Sequence, residues 1–137
     1  MRVQSYLFFN GRCDEALAFY ASAIGATTTF ITRFGDAPEG SSNTAPDWAD
    51  KVMHANFEVG NTQLMASDGQ CALEGDASMR ACSLSIEADS QADAERMFNA
   101  LVDGGTVTMP FQSTFWSSGF GMLVDRFGVK WMVSAPA

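Results

Sequence analysis

The chain is short of the side chains that most reaction centres draw on. It has one histidine, three cysteines, and 8 Lys and Arg against 16 Asp and Glu. The resulting net charge of −8 argues against a nucleic-acid partner, whose phosphates it would repel. No run of Lys and Arg forms a basic patch. Cys13, Cys71 and Cys82 are odd in number and show no CxxC spacing. That excludes a disulfide framework and a structural zinc site, and it suits reduced thiols in a cytoplasmic protein. No apolar run approaches the roughly 20 residues of a membrane span. The N-terminus also lacks the charged-then-apolar layout of a secretory signal. The expectation is a cytoplasmic protein with neither nucleic acid nor membrane as partner.

Large apolar side chains, in contrast, are abundant. Eleven Phe, three Trp and eight Met in 137 residues supply a core and an adaptable lining, and the length fits a single domain. "VQSYLFFN" reads as a strand. "GRCDEALAFYASAIG" then turns to helical period, with Ala16, Phe19, Tyr20, Ala23 and Ile24 on one stripe and Gly25 as the stop. "ATTTFITRF" is a strand, and "GDAPEGSSNTAPDWAD" is a long loop. "KVMHANFEV" and "TQLMASD" form a hairpin turned at Gly60-Asn61. After a weak segment the order restarts. "RACSLSIEA" is a strand, "SQADAERMFNALVDGG" a helix with Ser90 as cap, and three further strands follow. The expected organisation is a βαβββ repeat over 1–68, a linker over 69–79 and a second βαβββ repeat over 80–137. Each helix covers one sheet face and leaves the other open. The fold class is therefore α+β, with two curved mixed sheets around a cavity.

The blocks "YLFFNGRCDEALAFY", "TRFGDAP", "DKVMHA", "LMASD", "AERMFNALVDGGTVTMP" and "TFWSSGFGMLVDRFGVKWMV" resemble the vicinal oxygen chelate superfamily. This is the glyoxalase/bleomycin-resistance/dioxygenase fold, and the match is to its PhnB-like branch. The resemblance spans nearly the whole chain. It implies a homodimer and does not imply a reaction, because members isomerise, open rings, break thiol adducts or simply bind a drug. Some members of this branch carry a label as a ubiquinone methyltransferase. The sequence does not support that activity, since no glycine-rich loop follows a strand of a parallel βαβ unit.

Metal-dependent members take one ligand from the first and last strand of each repeat, typically a His and a Glu. The resemblance places these positions at Ser5, Met65, Ala81 (or Cys82) and Met132, with about one residue of latitude on the first strand. None is a carboxylate or an imidazole. Thioethers are soft, weak ligands, and paired methionines serve better as apolar lining. No metal and no cofactor are expected.

Strand alternation then assigns faces. With those four positions toward the cavity, Leu7 and Phe9, Gln63 and Ser67, Ser83 and Ser85, and Lys130 and Ser134 join them. Tyr6, Phe8, Leu64, Ala66, Trp131 and Val133 would face the helices. In "KVMHANFEVG" the sole histidine, His54, shares its parity with Asn56 and Glu58 and is expected on the cavity side. His54 and Glu58 are four residues apart on a strand, about 13 Å, too far to share one ion. His54 is a hydrogen-bonding point for a ligand, a general base, or a structural histidine. In "TFWSSGFG", Phe115, Trp116 and Phe120 are candidate roofing for a pocket or packing for a seam. Trp48 is a candidate anchor for loop 36–50. Cys13 sits where helix dipoles could stabilise a thiolate.

The candidate ligand-binding set is thus Ser5, Leu7, His54, Asn56 and Met65, joined by Ser83, Phe115, Trp116, Phe120 and Met132. The favoured reading is a metal-free small-molecule-binding protein. The alternative is a lyase or isomerase that uses His54 as its catalytic residue or a metal site elsewhere. A purely structural dimer is the third.

Overall fold

The computed structural model describes residues 1–38, 46–69 and 81–137. The linker expected over 69–79 and the middle of loop 36–50 fall almost wholly outside these residues, as does Cys71. The chain divides into two compact units, Met1–Ala77 and Ser78–Ala137. Among the described residues no helix is long and apolar enough to cross a membrane.

The first unit runs β1 (Tyr6–Phe8), α1 (Cys13–Ile24), β2 (Thr27–Arg33), β3 (Val52–Val59) and β4 (Thr62–Ser67). Its sheet has the order β1-β4-β3-β2. β1 lies parallel to β4, and the other pairs are antiparallel. Ala16, Leu17, Tyr20, Ala23 and Ile24 make the buried stripe of α1. They recur every three to four residues, the spacing that turns one helix face to a sheet. The ring of Tyr20 stacks on Phe57 with centroids 6.1 Å apart, and Ala55 and Leu64 are buried beside them. Gly25 ends the helix at φ 70°, its N–H bonded to the Tyr20 carbonyl. A side chain there would meet the left-handed penalty.

The second unit repeats the order with β5 (Leu84–Glu87), α2 (Gln91–Val102), β6 (Thr106–Gln112), β7 (Phe120–Val124) and β8 (Lys130–Ser134). Its sheet order is β5-β8-β7-β6, again with one parallel pair, β5 with β8. Ser90 caps α2 by accepting the Asp93 N–H. Phe98 and Leu101 are buried, as are Leu123, Trp131 and Val133 of the sheet. Gly121 lies where Phe98 crosses the sheet. A Cβ there would come within 2.6 Å of that ring, so this strand needs glycine to admit the helix. Among the described residues, two α-helices and eight strands in two four-stranded mixed sheets are the α+β, twice-βαβββ architecture that the sequence predicts.

One assignment is reversed. Tyr6 and Phe8, expected under the helix, are 37% and 39% exposed, whereas Leu7 and Phe9 are 6% and 5% exposed. Phe9 packs on Tyr20 at 6.1 Å between ring centroids. The register is the reason: Tyr6 pairs with Met65 and Leu7 with Ala66. Directly paired residues share a face, so β1 turns Tyr6 and Phe8 to the open side with Met65.

Candidate functional site

On the open face of the first unit, cross-strand pairing lays out a row: Tyr6 opposite Met65, Met65 opposite Asn56, and Asn56 opposite Phe30. His54 stands two residues before Asn56, opposite Thr32. β-strand alternation puts His54 and Asn56 side by side on one face, because Ala55 and Phe57 are needed in the core. The result is a hydrogen-bonded chain. The Tyr6 phenol oxygen lies 2.7 Å from His54 Nδ1, and His54 Nε2 lies 2.9 Å from Asn56 Oδ1. Amide oxygen accepts, so Nε2 carries the ring proton. In that tautomer Nδ1 is left to accept from the phenol.

Aromatic rings surround this chain. Phe8 stacks on Tyr6 at 4.9 Å with the planes 10° apart. The ring of Phe30 lies 6.2 Å from that of His54. Phe8 and Phe30 are both exposed. A polar group framed by exposed rings, on a sheet whose other side is sealed by a helix, is a surface that can grip a flat molecule and orient it. The pairing of an ionisable oxygen with a base, and of that base with an orienting amide, is also the arrangement that proton transfer requires.

The expected site residues divide as follows. His54, Asn56 and Met65 come together on this face. Leu7 does not, because it is buried on the helix side of β1. Ser5 shares the parity of Leu7 and joins β4 through its backbone, its carbonyl accepting the Met65 N–H at 3.0 Å. Tyr6, which the sequence reading placed under the helix, takes their place, with Phe8 and Phe30 beside it. In the second unit, Met132 pairs with Met122 and Ser85, and Met122 pairs with Met109. Ser83 precedes β5 on the parity of Ser85. Phe115, Trp116 and Phe120 form a ring cluster, with centroids 4.7 and 5.5 Å apart and edges turned to faces. Phe115 is 96% exposed. Trp48 meets Phe34 edge-to-face at 6.2 Å, which fastens the described C-terminal part of loop 36–50 to the residues just before the loop.

Register also tests the superfamily metal set. The open-face partner of Met65 on β1 is Tyr6, and the partner of Met132 on β5 is Ser85. Ser5 and Ala81 both lie ahead of their strands. Each unit thus offers at these positions one thioether and one hydroxyl group, a phenol in the first and a serine in the second, which are poor donors for a hard or borderline divalent ion. Among the described residues no group of three or more His, Cys, Asp or Glu could hold a metal ion. The residues do not fit the group that the fold's metal-dependent members carry.

Cys13 is not a poised nucleophile. It is buried at the start of α1, and its thiol is pushed up to about 12, first by desolvation and then by the nearby Asp68 and Asp14 carboxylates. The dipoles that would favour a thiolate are outweighed.

The chain is similar to known proteins in sequence and in overall fold. Protein YjdN of Escherichia coli (strain K12) is 32% identical over 98% of this chain and 95% of its own. The crystal structure of protein PA1353 from Pseudomonas aeruginosa superposes with a TM-score of 0.85 at 46% identity, covering 99% of this chain and 98% of that one. PhnB protein from Bacillus cereus gives a TM-score of 0.81 at 26% identity, covering 98% and 99%. The sequence model of the family described as 3-demethylubiquinone-9 3-methyltransferase matches residues 1–134. The chain therefore belongs to that PhnB-like family, a branch of the vicinal oxygen chelate superfamily.

Proposed function

We propose that this protein binds a small planar molecule on the open face of its first unit, without a resident metal. The observation that carries the reading is the Tyr6–His54–Asn56 chain framed by the exposed rings of Phe8 and Phe30. The poor ligand chemistry of the four superfamily positions supports the metal-free part. The methyl transfer in the family's description is not part of this reading, since the sequence lacks a glycine-rich turn for a nucleotide-like donor.

A thermal-shift and NMR screen of planar fragments tests it. Wild-type protein should gain stability with a subset of them, and Phe30→Ala should lose that gain while folding normally. Fragments that act equally on both proteins would remove this face from the account. Elemental analysis of protein purified without a histidine tag tests the metal-free part, and one equivalent of Zn, Ni, Fe or Mn would overturn it.

A second reading, an isomerase or lyase, is favoured by one contact: the 2.7 Å approach of the Tyr6 phenol to His54 Nδ1 pairs an acid with a base. His54→Ala would then abolish turnover of a ligand that still binds.

A further inference from the structure

We propose that the open face of the second unit binds a soft monovalent metal ion, copper(I), on the thioethers of Met109, Met122 and Met132. The site lies in the other unit from the binding face above and does not depend on it.

Met132 is paired directly with Met122, and Met122 with Met109. Directly paired residues share a face, so three adjacent strands set three thioethers side by side. The other face of β7 and β8 is the packed one, with Leu123, Trp131 and Val133 buried. Met122 and Met132 are half-buried and Met109 is exposed. Core packing therefore does not account for this row.

Met109 reaches the row through a break in the ladder. Val107 is paired with Leu123, so a regular register would set Thr108 against Met122. β6 instead carries one extra residue, and Met109 takes that place. A bulge of this kind re-aims a side chain, and such bulges gather beside functional sites.

Neighbouring strands lie about 4.8 Å apart, which puts the outer two Cα atoms roughly 10 Å from each other with Met122 between them. A methionine side chain turns about three bonds, and metal–sulfur bonds are about 2.3 Å long. Leaning inward, the outer thioethers can reach an ion seated over Met122. Thioether sulfur is soft and selects copper(I) over hard ions such as Mg or Mn. The superfamily positions, which take His and Glu in metal-dependent members, share only Met132 with this row. On the same strand parity, Lys130 precedes Met132 and Glu87 follows Ser85, each by two residues, so the flanking charges offset one another.

Thiols bind the same ions, so the full chain is tested with Cys71→Ser and Cys82→Ser in place, Cys13 being buried. With 13C at the methionine methyls, it is titrated with copper(I) in anaerobic buffer and separately with silver(I). The methyl signals of Met109, Met122 and Met132 should shift together and saturate at one equivalent, with Met65 unmoved. Met122→Leu and Met109→Leu, each checked for folding by circular dichroism, should lose the saturable event, and Met65→Leu should keep it. Where a variant fails to fold, the methyl pattern of the chain with all its methionines decides. Shifts spread over all eight methionines without saturation overturn the site. So does saturable binding that survives both substitutions, or the absence of any shift, and the three methionines are then apolar lining.

Discussion

The carboxylate of Asp68 accepts the backbone N–H of Cys13 at 2.8 Å, so the residue after β4 caps the start of α1. Arg12, the residue at the cap position, makes no side-chain cap bond. Asp68 also accepts from Gly11 N at 2.8 Å and Val52 N at 3.0 Å, and it is almost wholly buried. One side chain thus ties the helix entry and β3 to the end of β4. Asp68→Ala strands buried donors, each costing about 1–3 kcal/mol. We expect a loss on the order of 4 kcal/mol, read as a fall in the urea midpoint with the slope kept. A loss below about 1 kcal/mol would mean that water replaces the carboxylate.

Burial and two neighbouring carboxylates hold the Cys13 thiol protonated, near pKa 12, whereas Cys82 is exposed. In a Cys71→Ser background at pH 8, Ellman's reagent should titrate one thiol quickly and the second only on unfolding. Rapid reaction of two thiols in the native protein would contradict the buried setting.

Asp14 is held below the usual carboxylate range, first by its hydrogen bonds from Arg33 at 2.8 and 3.0 Å. A depressed carboxylate stabilises the fold above its unfolded pKa, near 4, and that contribution is lost as pH falls through the folded value. Both side chains are more than a third exposed, so solvent screening limits the pair to about 0.5 kcal/mol. Asp14→Asn should cost that much at pH 7, with the gap to wild type closing below about pH 4 and in high salt. A gap that persisted in acid would assign the loss to packing instead.

In the second unit, Asp125 accepts the indole N–H of Trp131 at 2.8 Å and the backbone N–H groups of Phe127 and Val129 at 2.8 and 3.1 Å. It shapes the turn between β7 and β8 and pins a core ring at once. Asp125→Ala should cost on the order of 3 kcal/mol and shift the tryptophan emission. An unchanged spectrum would leave Trp131 held by packing alone.

Much of this was legible in the sequence, and the part that was not has a definite cause. The helices declared themselves through the period of Ala16, Tyr20 and Ala23, through Gly25 and through the Ser90 cap. β3 was legible because Ala55 and Phe57 alternate with His54 and Asn56. β1 was not, because Tyr6, Leu7, Phe8 and Phe9 are all bulky and no alternation marks the buried side. The face then depended on a position carried over from the family at Ser5. One residue of slip turns a strand over, and the pairing of Tyr6 with Met65 shows the slip.

The Tyr6–His54 contact joins residues 48 apart in sequence across an intervening strand, and no local pattern encodes it. Asp68 reads as the polar tail of "LMASD". Its role depends on N–H groups from two distant segments, which only the folded chain assembles.

The two units carry rows in matching registers: Phe30, Asn56, Met65 and Tyr6 in one, Met109, Met122, Met132 and Ser85 in the other. Only the Met65 and Met132 positions agree in residue type. Each row stands on the side of its sheet turned away from its helix, so it can be rewritten while the packed side holds the fold. The architecture thereby separates what natural selection can edit from what it must keep. A lineage built on this chain can redraft either row while the packed side of that sheet keeps the fold.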